Sequence, residues 1–400
     1  MPLTLLTAGE SHGPSLSGIV EGMPAGLSVS VEKIHAHLAL RQAGYGRGGR
    51  MRIESDRLQI LSGLRHGVTL GSPIGFQLVN RDYPNWAAVM APEPPEHATP
   101  PEALPEKLRP RYTPRPGHAD LAGALKYGHG DLRNVLERAS ARETAARVAA
   151  GAFPRQLLEH LEVQFASHVV QLGAVGLGRI ATFEEILERS SESDVRCVDE
   201  QTAARMRSEV DRAREEGDTV GGVVEYRVRN LPAGLGRFSQ PAARLTARLS
   251  AALMSIPAAK GVEIGDGFDL ASRRGSTSHD EIYFESGALP LDRRFGYRRR
   301  SNRAGGLEGG LTTGEDLVLR LAAKPLSTLM QPLESVDMRT GESQPAMIER
   351  SDVCALPPYA VIGEMLLAWE LGCALLEKFG SDTVGEIEAH LNRYLKRPRP

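Results

Sequence analysis

The residues able to do chemistry lie in short segments rich in Gly, Arg, His or Ser. His12 sits in Gly9-Glu10-Ser11-His12-Gly13, where flanking glycines let the backbone approach a ligand and expose the imidazole. Histidine titrates nearest to neutrality, so it suits proton transfer. Arg41, Arg47 and Arg50 stand among Gly44, Gly46, Gly48 and Gly49. Guanidinium groups bind phosphate or carboxylate bidentately, and glycine removes side chains that would block them. This segment matches neither G-x-x-x-x-G-K-[ST] nor G-x-G-x-x-G, so a nucleoside triphosphate P-loop and a Rossmann fingerprint are both excluded. In Pro114-Arg115-Pro116-Gly117-His118-Ala119-Asp120 the prolines restrict the backbone and position Arg115 and His118. Lys324-Pro325-Leu326-Ser327-Thr328 places an ammonium and two hydroxyls where a phosphate could be held. Glu349-Arg350-Ser351-Asp352 pairs carboxylates with an anion-binding arginine. Asn302–Gly310 is a second glycine-rich loop. His66, in a tight connection, is assigned no catalytic role.

Periodicity supplies the elements that must carry these residues. Ser15–Glu21, Leu58–Leu61, Ile74–Val79, Val163–Leu172, Gly222–Arg229, Gly261–Ile264 and Leu317–Leu321 read as strands. Val31–Gln42, Ala141–Leu161, Leu245–Met254 and Ile362–Phe379 read as helices. Residues from Asn80 to Gly117 show no period, and a loop of that length is usually functional or mobile. Around Arg138-Ala139-Ser140-Ala141-Arg142-Glu143 two readings stand. Ser140 and Glu143 form an S-x-x-E capping box whose helix end favours an anion, or one helix runs on from about Asn134. Both offer an arginine cluster. Strands and helices mix without a clean linker, so the fold class expected is α+β in one domain spanning residues 1–400. Val20–Leu27 echoes Leu231–Leu235, and Thr69–Val79 echoes Thr312–Ala322. Chance turn chemistry or a duplicated half-domain, an internal pseudo-repeat, accounts for both echoes.

Composition narrows the class. The hydrophobic fraction of 41% suffices for a sizeable core, and aromatics at 5% argue against a base-stacking surface. With 48 basic and 50 acidic residues, no global field attracts nucleic acid, and any anion site comes from local clustering. Cys197, Cys354 and Cys373 fit no metal-ligand spacing and read as reduced thiols. No basic n-region opens the chain and no run approaches the ~18 apolar residues of a membrane span, so no membrane association and a cytoplasmic location are expected.

In this order the segments resemble the chorismate synthase family. The resemblance rests on Gly9–Gly13, the Arg41–Met51 loop, Arg115–Asp120, Arg138–Arg147, Lys260–Phe268, Asn302–Gly310 and Arg350–Cys354, and it covers roughly residues 5 to 380. It implies a single large β-α-β sandwich domain in a homotetramer that binds reduced FMN beside 5-enolpyruvylshikimate 3-phosphate. The reaction implied is a 1,4-anti elimination of phosphate giving chorismate, with no net redox change. NADPH, used directly or through an external flavin reductase, is the implied reductant. Carried over by motif, His12, His118, Asp352, Ser11 and Ser140 are catalytic. Arg41, Arg47, Arg50, Arg115 and Arg142, with Arg138 and Arg350, meet the substrate's anionic groups. The cofactor-binding set comprises Arg41, Arg47, Arg138, Ala139, Ser140, Pro257, Ala258, Gly309, Lys324, Pro325, Leu326, Ser327, Thr328 and Arg350. Members often carry Asn or Gln where this chain has Pro257, so a side-chain contact to the flavin is expected to be missing there.

Overall fold

The computed structural model describes residues 3–48, 56–94, 100–285, 291–349 and 352–397. Arg50, Arg350 and Ser351 lie outside the described residues.

Alternation of apolar and polar residues builds two sheets, each with one face turned inward. The first contains β1 (Thr4–Ala8), β2 (Ser15–Glu21), β3 (Leu58–Ile60) and β4 (Ile74–Val79), ordered β1-β2-β4-β3 and antiparallel throughout. Leu16 and Val20 of β2 and Ile74, Phe76 and Leu78 of β4 are buried, whereas Ile19 and Val79 are exposed. β1 carried no signal in the sequence, because it is a five-residue edge strand with no fully buried position. The second sheet contains β5 (Gln164–Leu172), β6 (Val175–Gly176), β7 (Gly222–Arg229), β8 (Ala259–Ile264) and β9 (Leu317–Ala323). Its order is β8-β9-β7-β5-β6, again antiparallel.

Between the sheets lie α1 (Val31–Gln42), α2 (Thr144–His160), α3 (Leu245–Met254) and α4 (Leu356–Phe379). α2 packs against β2 on one side and α4 on the other, and α4 in turn lies on β5 and β7. The layers are therefore sheet, helices, sheet. One hydrophobic cluster runs through all three, from Leu16 and Phe76 through Phe153 and Met365 to Tyr226 and Leu319. Gly151 makes the helix contact close: a Cβ there would lie 2.5 Å from the Met365 carbonyl oxygen.

α4 corrects one expectation. Its 24 residues are long and apolar enough to cross a membrane by length and composition, but 83% of its apolar window is buried inside the fold. Periodicity marks only its later turns, because the first two turns are buried on every side and carry no polar face. α4 also begins six residues before the position its periodicity indicates, with Pro357 in its first turn.

The two echoed segments share one local device. Thr69 Oγ1 donates to the Pro24 carbonyl at 2.5 Å and accepts from the Leu27 N–H at 2.9 Å. Thr312 Oγ1 donates to the Pro232 carbonyl at 2.7 Å and accepts from the Leu235 N–H at 2.8 Å.

Glu364, buried on α4, accepts from Ser167 Oγ at 2.5 Å and from Arg155 on α2, with Arg196 at 4.0 Å. Burial alone would raise its carboxyl, but Arg155, Arg196 and Ser167 hold it below the usual carboxylate range. His37 on α1 lies near this group; burial, with the Arg155 charge second, pushes it down to about 4. The folded protein keeps His37 neutral while the unfolded chain protonates it near the ordinary 6.5. Stability is therefore full above about pH 6.5 and falls as the pH drops towards 4. Between about pH 7 and pH 4.5 we expect roughly 2 kcal/mol of stability to be lost through this group. Denaturant unfolding of His37→Gln should show a correspondingly shallower acid slope, and an unchanged slope would refute the assignment.

Candidate active site

A cavity of ≈ 570 Å³ opens where the first turns of α2 and α4 meet the loop after β1, the end of α1 and the loop after β9. Its volume is that of a small-molecule or cofactor site. Seven basic side chains line it (Arg41, Arg47, Arg115, Arg138, Arg142, Arg147 and Lys324) against four carboxylates (Glu137, Glu143, Glu349 and Asp352).

A larger hollow of ≈ 1310 Å³ lies over the outward residues of β7 and β9. Several of its arginines are paired with carboxylates, Arg229 with Asp316, Arg294 with Glu315 and Arg298 with Asp292. None of the residues expected at the site lines it. The smaller cavity gathers both histidines and the described arginines expected at the site, and it is there that a polyanion fits.

His12 is backed by the buried Glu137. Its Nδ1 lies 2.8 Å and 2.9 Å from the two carboxylate oxygens, and its backbone N–H donates to one of them at 2.9 Å. The Ser11 N–H donates to the Glu137 carbonyl at 2.9 Å. The indole of Trp86, from the Asn80–Gly117 segment, covers the imidazole with ring centroids 3.8 Å apart. His118 is held by a second buried carboxylate: its Nδ1 is 2.5 Å from Asp120 Oδ1. Arg115 donates to the other oxygen of Asp120 through Nε at 2.8 Å and also reaches Thr328 Oγ1 at 3.2 Å and Glu349 at 3.3 Å. Burial alone would raise the Asp120 carboxyl, but the hydrogen bonds from His118 and Arg115 and their charges hold it well below the usual range.

The arginines of the 41–50 and 138–147 segments divide by role. Arg41 and Arg142 converge on Asp56, whose two oxygens lie 2.6 Å and 3.3 Å from their guanidinium nitrogens. Arg47 donates to Asp352 Oδ2 at 2.5 Å while the Gly48 N–H donates to Oδ1 at 2.7 Å. Burial pushes the Arg47 guanidinium down, with Asp352 opposing and Arg41 adding to the shift. Arg138 lines the cavity, and its guanidinium donates to the carbonyls of Gly9 and Thr7 and to the Thr7 hydroxyl at 2.8–3.1 Å, so it also ties β1 to the site.

The backbone between Asn134 and Glu143 also decides between the two sequence readings. A short helix, Arg133–Leu136, ends before Ser140, whose extended conformation starts a new turn. Ser140 Oγ accepts from the Arg142 N–H at 3.3 Å, but Glu143 pairs with Arg147 at 2.8 Å instead of returning to Ser140. The helix start is real and the reciprocal box is not.

Gly44 and Gly46 of the arginine loop serve packing, whereas Gly48 lines the cavity. A Cβ on Gly44, with φ +123°, would lie 2.7 Å from Pro357 at the start of α4. This contact, with the Val353 N–H donating to the Gly46 carbonyl at 2.8 Å, brings Arg47 and Asp352 together. Lys324 ties two further segments: its Nζ donates to the Gly117 carbonyl at 2.6 Å and its backbone N–H to the Ala258 carbonyl at 3.0 Å. Pro257 and Ala258 line the cavity as a turn with Ala258 at φ +67°. The Arg41 Nε and the Tyr359 hydroxyl are buried without a hydrogen-bond partner among the described residues, and both belong to the cavity lining.

All the described candidates named from the sequence line this one cavity except Gly309. Gly309 is at the tip of the hairpin Leu307–Glu308/Leu311–Thr312, which meets α3 at its N-terminal end through Leu245 N–H and Gly310 O. Pro257 and Ala258 follow the other end of that ten-residue helix, about 15 Å away along its axis. Sequence reasoning missed Glu137, Asp56 and Trp86. Glu137 is 125 residues from its partner His12, and Asp56 is 15 from Arg41, so no local spacing marks either.

A family model described as chorismate synthase matches residues 3–376. A chorismate synthase of Symbiobacterium thermophilum is 54% identical, covering 98% of this chain and 98% of that relative. One from Desulforamulus reducens is 51% identical over the same shares. A solved structure described as a crystal structure of chorismate synthase superimposes with a TM-score of 0.77 at 37% identity, covering 99% of this chain and 98% of that one.

Removing Asp56 tests the arginine arrangement. Asp56→Ala takes the shared carboxylate from two buried guanidinium groups and should destabilise the fold by about 3–5 kcal/mol. Equilibrium unfolding measures this, and a loss below about 1 kcal/mol would mean the pair is held by other contacts.

Proposed function

Because the chain belongs to the chorismate synthase family, and with it to the carbon–oxygen lyases acting on phosphates, we propose that it converts 5-enolpyruvylshikimate 3-phosphate to chorismate with reduced FMN in the cavity at the head of α2 and α4. The observation that carries this reading is the convergence of Arg41, Arg47, Arg115, Arg142, Lys324 and both histidines on one cavity with excess positive charge. The unpartnered Arg41 Nε and Tyr359 hydroxyl add polar capacity that a ligand can satisfy. Lys324 to Thr328, Pro257–Ala258 and Ala139–Ser140 suit the phosphate and ring of the flavin. Pro257 has no side-chain donor, so contact there comes from backbone.

Lys324 to Thr328, Pro257–Ala258 and Ala139–Ser140 would hold reduced FMN, which would supply an electron-rich ring beside the substrate, with no net redox change. The protein's own part is binding and proton control. Arg115 and His118, locked to each other and to Asp120, receive the departing phosphate, and His118 gives it a proton. Arg41 and Arg142 bind the substrate's carboxylates from their fixed seat on Asp56. Arg47 lies beside them and holds Asp352, which with Ser11, Ser140 and His12 manages the proton at the flavin side. We read the chain as one cytoplasmic catalytic domain working in a homotetramer, with NADPH or an external flavin reductase supplying electrons. A duplicated half-domain accounts for the shared threonine clamp of its two proline turns.

An anaerobic assay tests the reading: chorismate should form only when reduced FMN is added. Turnover without flavin would overturn it. His12→Ala and Asp352→Ala should each lower kcat by about 10²–10⁴-fold with FMN and substrate still bound. A variant that loses flavin binding first has a structural role instead.

A further inference from the structure

We propose that Glu137, with Trp86 against the ring face, is a positioning residue that holds His12 in the Nδ1–H form and presents its Nε2 to the cavity. The proposal rests on the reading that His12 exchanges a proton with what the cavity binds. Glu137 is 2% exposed and addresses Ser11 and His12 through three groups. Its carbonyl accepts from the Ser11 N–H at 2.9 Å, and its carboxylate accepts from the His12 N–H at 2.9 Å while facing Nδ1 at 2.8 Å and 2.9 Å.

An ionised carboxylate only accepts hydrogen bonds, so the ring nitrogen facing it carries the proton. In the neutral imidazole the other nitrogen, Nε2, is then the bare base. No hydrogen bond engages Nε2 among the described residues, and His12 lines the cavity, so that nitrogen is the one available to a ligand. Arg133 places a guanidinium 3.4 Å from the Glu137 carboxylate, on Oε1.

Rotation of the ring is blocked as well. Trp86 covers one face at 3.8 Å and is itself fixed by its Nε1–H donating to Asp82 at 2.8 Å, with Lys107 and Arg133 over the indole at 5.7 Å and 5.4 Å. The Asn80 side-chain amide donates to the Gly13 carbonyl at 2.9 Å and so holds the turn that carries the histidine. The long Asn80–Gly117 segment thus serves the site by bringing Trp86 over His12.

A purely structural Glu137 would neutralise Arg133 and satisfy two backbone N–H groups, and glutamine would serve the backbone equally well. Glutamine that keeps its oxygen on the His12 N–H, however, places its NH2 at the Oε1 position, 2.9 Å from Nδ1, and so favours the opposite tautomer. The test is Glu137→Gln in the full-length protein, labelled with ¹⁵N-histidine and observed without ligands at a pH where the imidazole is neutral. The His12 resonance, assigned with His12→Gln, should move from Nδ1–H to Nε2–H. In the assay with reduced FMN, kcat should fall on the order of 10²–10⁴-fold with KM for 5-enolpyruvylshikimate 3-phosphate within about threefold of the unaltered protein, as expected when a tautomer is wrong in place. An Nδ1–H signal in the variant, or a kcat within about threefold of the unaltered protein, overturns the proposal. If Glu137→Gln does not fold, Glu137→Asp keeps an acceptor-only group and must retain the Nδ1–H signal; an Nε2–H signal there overturns it too. The ligand-free spectrum is independent of the reaction, so absence of any turnover by the unaltered protein defeats the functional reading alone.

Discussion

A cavity that gathers seven basic side chains in partly buried surroundings repels itself unless counter-charges stand behind it. The described residues meet that constraint with carboxylates set one layer back. Asp56 seats Arg41 and Arg142, Asp120 seats Arg115 and His118, and Glu137 seats His12 beside Arg133. Each is nearly inaccessible, so each acts on a neighbouring cation rather than on solvent. The result is a set of cations fixed in direction before any ligand arrives, which is what binding and stabilising a departing anion requires.

The layered fold makes that arrangement reachable. α2 and α4 pack tightly enough that Gly151 touches the Met365 backbone, and their first turns open on the same cavity. The Arg115–His118 loop, the Pro257–Ala258 turn and the end of β9 are joined there by Lys324 through two carbonyls. Glycine at position 44 lets the arginine loop lie against Pro357, so packing and site geometry are set by the same contact. Beneath them the Arg155–Glu364–Ser167 network ties α2, α4 and β5 with a charge that burial would otherwise disfavour.

Much of this was legible from residues alone. Strands β2, β4, β7 and β9 and helices α1 and α3 follow from alternation and helical spacing, because each has one buried face and one wet face. β1 and the start of α4 were not legible, the first because an edge strand buries little and the second because a helix enclosed on all sides has no period. The glycine-, arginine- and histidine-rich segments were legible as anion-binding because these residues in turns have few other uses together.

By itself the sequence determined which residue types could bind a polyanion and move a proton, and in what order they occur along the chain. Only the tertiary structure decided how they are used. Arg138, named for an anion, lines the cavity and also anchors β1; Gly309, named for the cofactor, lies outside that lining at the far end of α3. Glu137, Asp56 and Trp86 became visible only with their partners, since His12 and Glu137 are 125 residues apart. The physical reason is that a buried charge is defined by what surrounds it. Spacing along a chain reports local neighbours, whereas electrostatic and tautomeric roles depend on atoms within about 4 Å, wherever in the sequence they come from.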